Sequence, residues 1–399
     1  MTAKSIFATL RPEAPDSLLA LIGMHAADGR PNKMDVGVGV YRDDQGRTPI
    51  FGSVKAAERT LVAEQTTKSY LGPEGDVRFV ELLARIALGD VLAASPTLIG
   101  LQTPGGTGAL RIGAELLERA APGRAIWVGT PTWANHIPIF AAAGLIVRQH
   151  RFFNRATSDI DFEGMLADLS GASVGDIVLL HGCCHNPTGL SFTFEQWSAL
   201  ADLVVARGLT PFIDLAYQGL GAGLAEDVLG MRWFLARVPD ALIGYSCDKN
   251  FGLYRERVGA LWVLTPNAAA ADAVRSTVYA LARVNWSMPP DHGAAIVRTI
   301  LDDPDLRYAW ETELSSMCDR IRILRRSLAL QHPRLAPLDW QQGMFAMLPL
   351  GPAAVCELRK NHAIYMAGNG RINIAGLRED DLQLFATAIM PFFAEQHDS

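Results

Sequence analysis

Hydrophobic runs alternate with segments of helical periodicity through the middle of the chain. The runs are apolar at successive positions, as expected of strands that are buried on both faces. We predict strands at 125–130, 145–152, 176–182, 210–217, 241–247 and 258–265. Segments between them, including 194–207 and 228–237, have the apolar spacing of helices. This alternation predicts an α/β fold in which a mainly parallel sheet is covered by helices on both sides.

The last third of the chain has a different pattern. Residues 306–330 predict one long amphipathic helix, and short strands are predicted within 343–350 and 371–376. We therefore predict a large domain that carries the main sheet and a smaller α+β domain that includes both chain ends. The predicted boundaries are an N-terminal segment at 1–40, the large domain at 41–305 and the small domain at 306–399.

Length and composition agree with a two-domain globular protein. The 399 residues are 49% hydrophobic and 20% charged. The net charge of −6 argues against nucleic-acid binding, for which a basic surface is expected. No apolar stretch reaches the ~18 residues that a membrane span needs. The N-terminal residues lack the pattern of a signal peptide, so we expect a cytoplasmic protein.

The cysteines argue against both a disulfide framework and a metal site. Their number is odd, and two are adjacent: Cys183, Cys184, Cys247, Cys318 and Cys356. Reduced thiols are typical of a cytosolic protein. Because no CxxC pair accompanies them, we expect no zinc and no other metal.

A glycine-rich segment, QTPGGTGALR at 102–111, precedes a strongly helical run. Glycines let the backbone approach an anion, and the free N–H groups at a helix start favour a phosphate. Gly105, Gly106 and Thr107 are the candidate contacts. A plain loop leading into a helix is the alternative, and the segment lacks the Gly-Lys-Ser/Thr ending of a P-loop.

Two charged residues stand at predicted strand ends, where open α/β sheets bind ligands. Asp214 closes the apolar run TPFI near the end of the strand at 210–217, and Lys249 follows the strand at 241–247. A buried carboxylate needs a partner, although a lone Asp is more often a helix cap or turn residue. A desolvated lysine is a nucleophile, although most lysines are solvated surface charges. Arg257 begins the next strand and offers a second phosphate anchor.

A phosphate cradle, a buried Asp and a strand-end Lys together match what pyridoxal 5'-phosphate (PLP) chemistry requires. The cradle would hold the phosphate, the lysine would carry the cofactor, and the carboxylate would keep the pyridine nitrogen protonated. Each signal is weak alone, and the combination favours a PLP enzyme.

The chain also resembles class I aminotransferases, in particular the bacterial aspartate and aromatic amino-acid branch. The motifs that carry the resemblance stand in the family's order: VGVGVYRD, TTKSYLGPEG, QTPGGTGALR, PTWANH, LLHGCCHNPTG, DLAYQG, KNFGLYRERVG and RINIAG. They span nearly the whole chain. The resemblance implies the type I fold of PLP-dependent transferases and a homodimer with shared active sites.

The resemblance also implies roles for individual residues. Lys249, Asp214 and Tyr217 would be catalytic, with Lys249 moving the protons. The cofactor would be held by Gly105, Gly106, Thr107, Trp133, Asn186, Asp214, Tyr217, Ser246, Lys249, Arg257 and, from the partner subunit, Tyr70. The substrate would meet Gly39, Trp133, Asn186, Arg371 at its α-carboxylate and, from the partner subunit, Arg283 at a side-chain carboxylate.

The implied reaction is transamination between an aromatic L-amino acid (Phe, Tyr or Trp) or aspartate and 2-oxoglutarate. It would be ping-pong, through a pyridoxamine phosphate form. Alternatives are a strict aspartate:2-oxoglutarate aminotransferase, a PLP decarboxylase or β-lyase, and a non-catalytic binding protein. A dinucleotide-binding oxidoreductase is remote, because the glycines lack GxGxxG spacing.

Two positions depart from the family pattern. Asp248 stands where relatives usually have a hydroxyl residue that contacts the phosphate. A carboxylate at this position repels the phosphate unless it turns away, takes up a proton or pairs with an arginine. Met288 stands where aspartate-preferring relatives commonly have Asn. With Trp286, it makes the segment more apolar and favours aromatic substrates. For His136, a structural role and a role in tuning Asp214 both stay open.

Overall fold

The structure, a computed structural model, describes residues 5–12 and 17–396. Residues 1–4, 13–16 and 397–399, which belong to the predicted terminal segments, lie outside the described residues. The α-helices are α1 Ser17–Ala27, α2 Gly52–Glu64, α3 Val77–Leu88, α4 Asp90–Ala93, α5 Gly105–Ala120, α6 His136–Ala142, α7 Phe162–Leu169, α8 Phe194–Arg207, α9 Leu229–Leu235, α10 Ala268–Asn285, α11 Asp291–Asp302, α12 Pro304–Ala329, α13 Pro352–His362 and α14 Leu382–Ile389.

The strands are β1 Met34–Asp35, β2 Leu98–Pro104, β3 Ala125–Thr130, β4 Ile146–Arg151, β5 Phe153–Asn154, β6 Asp159–Ile160, β7 Ile177–His181, β8 Thr210–Leu215, β9 Ala241–Ser246, β10 Val258–Leu264, β11 Phe345–Met347, β12 Ile364–Tyr365 and β13 Arg371–Asn373. Short 3-10 segments lie at Ile6–Thr9, Glu226–Val228, Pro333–Asp339, Ile374–Gly376, Glu379–Asp381 and Met390–Gln396. No helix within the described ranges is long and apolar enough to cross a bilayer.

The main sheet has seven strands in the order β2-β10-β9-β8-β7-β3-β4. Only β10 is antiparallel to its neighbours β2 and β9, and the other pairs are parallel. The mainly parallel α/β sheet is therefore confirmed. The six strands predicted from hydrophobic runs are all present: β3 has the predicted bounds, and the other five are shortened at one or both ends. Strand β2 was not predicted, and residues 102–104, which we assigned to the phosphate loop, are its last residues.

Both faces of the inner strands are buried, because successive strand residues pack into different hydrophobic clusters. On β7, Val178 and Leu180 belong to the cluster under α3, α8 and α9, whereas Ile177 and Leu179 belong to the cluster under α5 and α10. This is the packing that a sheet between two helical layers requires.

A third cluster joins the two ends of the chain. It contains Met34 and Val36 together with residues from 324 to 393, and β1 pairs in parallel with β12. Helix α12 contributes to two clusters: Trp310 and Leu314 pack in the core of the main sheet, and Leu324 packs in the third cluster. The boundaries that we predicted at residues 40 and 305 stay predictions.

Local sequence signals explain where the main helices begin and end. Helix α8 starts with a capping box between Thr193 and Gln196, and its C-cap is Gly208, whose φ is 61°. Helix α12 starts at Pro304, after the side chain of Asp303 caps the first turn. It ends one residue before the predicted end at Leu330.

Candidate active site

A cavity of about 200 Å³ lies at the carboxyl edge of the main sheet. Its walls contain most of the residues that the sequence singled out: Gly39, Gly106, Thr107, Trp133, Asn186, Asp214, Tyr217, Ser246, Lys249, Arg257 and Arg371. A larger open groove of about 740 Å³, next to Arg322 and Trp340, contains none of them. The smaller cavity is therefore the candidate active site.

The strand order brings these residues together. Strands β8 and β9 are parallel, so Asp214 near the end of β8 and the segment after Ser246 on β9 lie at the same edge. Strand β10 runs the other way and begins at this edge, directly after Arg257. Its register pairs Val258 with Pro104, the last residue of β2. The N-terminus of α5 therefore lies beside Arg257.

Asp214 is buried at the floor of the cavity and is bonded to a histidine from α6. His136 Nε2 lies 3.0 Å from Asp214 Oδ2, and His136 Nδ1 lies 2.7 Å from the hydroxyl of Thr132. Burial alone would raise the pKa of Asp214. The hydrogen bond from His136 and the nearby charge of Lys249 outweigh burial, so this pKa is below its usual value. The carboxylate is thus held ionised.

Lys249 extends into the same cavity, and its side chain is 19% exposed. Its Nζ lies 5.3 Å from the centre of the Tyr217 ring and 4.0 Å from Asp248 Oδ2. Burial lowers the pKa of Lys249, while the charges of Asp248 and Asp214 partly oppose this effect. The amine therefore reaches its neutral, nucleophilic form at a lower pH than an ordinary lysine.

Tyr217, Asn186 and Arg371 form a hydrogen-bonded part of the cavity wall. Asn186 donates from Nδ2 to the Tyr217 hydroxyl over 3.2 Å, and its Oδ1 accepts from Arg371 Nη1 over 3.4 Å. Burial, together with the charge of Asp214, raises the pKa of Tyr217. Arg371 also donates to the carbonyl of Gly37 over 2.6 Å. This network fixes the amide of Asn186, which can present its groups to a bound ring.

Phe345 is a wall residue that the sequence analysis missed. The guanidinium of Arg371 lies 4.6 Å from the centre of its ring, and the Tyr217 ring meets it edge-on at 5.7 Å. A Cβ added at Gly39 would come within 2.9 Å of Phe345 Cζ, so the glycine lets the 36–43 segment pass close to this ring. Leu110 and Ala216 also line the cavity. The strand predicted at 343–350 could have suggested a buried Phe345, but not its place in the wall.

The other end of the cavity is a cationic cradle. Gly105 has a φ of 70°, and a Cβ there would lie 2.6 Å from Arg257 Nη2. A Cβ at Gly106 would lie 3.1 Å from Ser246 Cβ. Arg257 has a φ of 55°, which is uncommon for a residue with a side chain. The close approach of backbone, arginine and hydroxyl suits a phosphate at the start of α5.

Asp248 lies at the same end, and its Oδ2 accepts a hydrogen bond from Arg257 Nη1. Pairing with an arginine was one of the three arrangements that the sequence analysis left open for this carboxylate.

Tyr70 and Arg283 do not line the cavity. Tyr70 is 92% exposed. Arg283, at the end of α10, is exposed and donates to the Ser287 hydroxyl. Their roles were expected across a subunit interface, and those roles stay predictions. Gly105 is close to the cavity through its contact with Arg257 without lining it.

Two buried groups place potential metal ligands close together within the part of the chain that the structure describes. They are His136, His181 and Asp214, and Cys183, Cys184 and Asp227. The Asp227 carboxylate already accepts four backbone N–H groups, from residues 219, 221, 222 and 223. The Asp214 carboxylate is bonded to His136. That the chain binds no metal stays a prediction.

The cavity fits PLP by the chemistry of its walls. An ionised carboxylate at the floor can bind a pyridinium nitrogen, a desolvated lysine can bond to an aldehyde carbon, and a cationic cradle at one end can hold a phosphate. Asn186 and Tyr217 offer hydrogen bonds between these points.

Comparisons with known proteins agree with this chemistry. Residues 31–389 match the family model of class I and II aminotransferases. The chain is 52% identical to a tyrosine aminotransferase of Rhizobium meliloti, over 94% of this chain and 96% of the relative. It is 41% identical to an aspartate aminotransferase of Salmonella typhi, over 96% of this chain and 99% of the relative.

A solved aromatic-amino-acid aminotransferase from Burkholderia pseudomallei, covalently bound to pyridoxal phosphate, superposes with a TM-score of 0.94. It is 37% identical, and the match covers 97% of this chain and 99% of that one. The predicted family and cofactor are confirmed: the chain belongs to the class I and II aminotransferases and is a pyridoxal-phosphate-dependent enzyme.

Proposed function

We propose that the enzyme transfers the amino group of an aromatic L-amino acid or of aspartate to 2-oxoglutarate, in two half-reactions. The main observation in support of this proposal is that Lys249, Asp214 and Arg371 line the same cavity. Its relatives include a tyrosine aminotransferase and an aspartate aminotransferase. A strict aspartate aminotransferase is the alternative.

In this proposal each wall of the cavity has one task. PLP, when bound, supplies the electron-accepting ring that stabilises charge at the substrate α-carbon. Asp214, held by His136, keeps the ring nitrogen protonated. Lys249 holds the cofactor through its Nζ and then moves a proton on and off the substrate, a task that suits an amine with a lowered pKa.

The remaining walls hold the two ends of the ligands. Gly105, Gly106, Thr107, Ser246 and Arg257 bind the phosphate, and Trp133 packs against the ring. Tyr217 and Asn186 hydrogen-bond the ring hydroxyl. Arg371 grips the substrate α-carboxylate, for which its planar fork is suited, and Gly39 lies in the segment that borders the substrate.

We further propose that the enzyme is a cytoplasmic homodimer. Tyr70 would reach the partner's phosphate site, and Arg283 would meet the substrate's side-chain carboxylate in the partner's cavity. The exposure of both side chains in one protomer supports this arrangement. The two-domain division, with 41–305 as the large domain and 306–399 joined by 1–40 as the small one, is part of the same proposal.

A single-turnover half-reaction tests the substrate assignment. PLP-loaded enzyme is mixed separately with aspartate and with phenylalanine, and the absorbance of the enzyme-bound cofactor is followed. Conversion with phenylalanine at a rate comparable to that with aspartate is expected. Conversion with aspartate alone would establish the strict aspartate alternative. Release of carbon dioxide, or of ammonia with pyruvate, would identify a decarboxylase or a β-lyase instead.

A further inference from the structure

Asp248 brings a second carboxylate into the phosphate end of the cavity. The residue is 6% exposed and lines the cavity beside Ser246 and Arg257. Its Oδ2 accepts from Arg257 Nη1 and lies 4.0 Å from Lys249 Nζ. Its Oδ1 is buried and has no hydrogen-bond partner among residues 5–12 and 17–396. Arg257 is thus engaged by a carboxylate at the position where a phosphate needs it.

The charges around Asp248 leave little surplus for an additional anion. Two cations face it, Arg257 and Lys249, and Lys249 is also close to the buried carboxylate of Asp214. Lys249 would be engaged covalently by a bound cofactor, which leaves the Arg257 guanidinium as the group of this pair that would hold the phosphate. Carboxylates and phosphates bind the same fork of an arginine. In a partly buried site, two anions that share one guanidinium also repel each other.

We propose that Asp248 is a specificity-determining residue of the cofactor site, whose carboxylate competes with the cofactor phosphate for Arg257. The site consequently binds PLP more weakly, and discriminates less against unphosphorylated pyridoxal, than the same site with a neutral residue at 248. This inference rests on the proposed placement of the phosphate at Gly106, Ser246 and Arg257. It does not depend on the identity of the amino donor.

Two substitutions separate the charge of Asp248 from its shape. Asp248→Asn removes the charge and keeps the size of the side chain, and Asp248→Ser introduces a small hydroxyl residue. Asp202→Asn is the matched control, because Asp202 is an exposed carboxylate on α8 that also pairs with an arginine, Arg237. It makes the same change in net charge outside the cavity.

The experiment is an equilibrium titration of the full-length protein, freed of cofactor, with PLP and separately with pyridoxal. Bound cofactor is measured by its absorbance. Both Asp248 variants are expected to bind PLP about tenfold or more tightly than the unmodified protein, because a repulsive charge at close range is removed. Their affinity for pyridoxal should change by less than about threefold, since no phosphate is present to be repelled. The control should match the unmodified protein with both ligands.

Unchanged or weaker PLP binding in the Asp248 variants would overturn the proposal. Equal gains for PLP and pyridoxal would also overturn it, because they would indicate a general change of the cavity. If Asp248→Ser does not fold, the PLP and pyridoxal affinities of the isosteric variant Asp248→Asn alone test the proposal. Transamination is measured separately at saturating PLP. A protein that binds both ligands but does not transaminate would overturn the proposed function. The comparison of PLP and pyridoxal affinities would stay valid in that case.

Discussion

His136 and Asp214 form one hydrogen-bonded unit beneath the cavity, with Nε2 and Oδ2 separated by 3.0 Å. An ionised carboxylate can only accept, so His136 Nε2 carries the proton and its Nδ1 accepts from the Thr132 hydroxyl. Both side chains are buried. The chain Thr132–His136–Asp214 therefore orients the carboxylate and keeps it charged where desolvation would favour the neutral acid.

We expect Asp214→Asn to reduce the rate constant of the half-reaction with the amino donor by about 10²–10³-fold, because an amide cannot hold a charged pyridinium nitrogen. Single-turnover rates at saturating PLP measure the effect. PLP should still bind, because the phosphate cradle and Lys249 remain. Retention of most of the rate in a variant that binds PLP would contradict the role of Asp214.

The lowered pKa of Asp214 also predicts how stability depends on pH. An unfolded aspartate titrates near pH ~3.9, and Asp214 in the folded protein titrates below its usual value. Its stabilising contribution is thus complete above the unfolded pKa and is lost as the pH falls through the folded pKa. The difference in unfolding free energy between the cofactor-free protein and Asp214→Asn should be largest above about pH 5 and shrink below about pH 4. Urea unfolding at several pH values measures it, and a constant difference would refute the linkage.

Lys249 should react with an acylating reagent at unusually low pH in the cofactor-free protein. Burial lowers the pKa of its amine, so the neutral form appears below the ~10.4 of an ordinary lysine. Modification is mapped by mass spectrometry across a pH series, with Lys55 on α2 as a lysine outside the cavity in the same sample. A pH midpoint for Lys249 at or above ~10.4 would show that the amine is not activated.

Arg283→Leu should separate the two classes of amino donor. If the partner's Arg283 meets a side-chain carboxylate, kcat/KM for aspartate should fall by about 10²-fold, the loss expected for a charge-assisted hydrogen-bonded pair. Phenylalanine has no such carboxylate, so its kcat/KM should change by less than about threefold. Arg275→Leu, on the same helix and paired with Asp272, is the control. Equal losses with both substrates would rule out this assignment.

The inner strands of the main sheet were predictable because they are apolar on both faces and too short for typical helices. The edge strand β4 was predicted with them, although four of its six residues are exposed. Strand β2 escaped prediction because Gly100 interrupts its apolar residues and its last residues, Gln102–Pro104, are not apolar side chains typical of a buried strand. That glycine is required by packing: a Cβ there would lie 2.6 Å from Val80 and 2.7 Å from Trp262. Such a requirement depends on neighbours that are distant in sequence.

The candidate-site residues that could be predicted from the residues alone are reactive side chains that stand at the ends of strands. Asp214 and Lys249 are charges at the ends of apolar strands, and topology brings those ends to one edge. The hydrogen bond between His136 and Asp214 joins residues 78 positions apart, so spacing could not establish it. Phe345 comes from the short strand β11 and joins the wall only through tertiary packing. Tyr70 and Arg283 followed from the resemblance alone, since their proposed tasks involve a second subunit.

Gly105→Ala should weaken PLP binding through the cradle itself. Gly105 has a φ of 70°, and the added Cβ would lie 2.6 Å from Arg257 Nη2, which forces the guanidinium away from the start of α5. Gly123→Ala is a matched control, because Gly123 has a φ of 75° and no atom within 4 Å of its added Cβ. Both variants should lose about 1 kcal/mol of unfolding free energy from the strained backbone.

Only Gly105→Ala should lose PLP affinity, by about tenfold or more, since only there does the methyl group displace a charge-assisted phosphate contact. Equilibrium titration with PLP measures this loss, and chemical denaturation measures the shared loss of stability. Equal PLP affinities in the two variants would show that Arg257 can hold the phosphate from a displaced position. The close approach of Gly105 would then be a packing feature of the sheet edge, without a part in binding the cofactor.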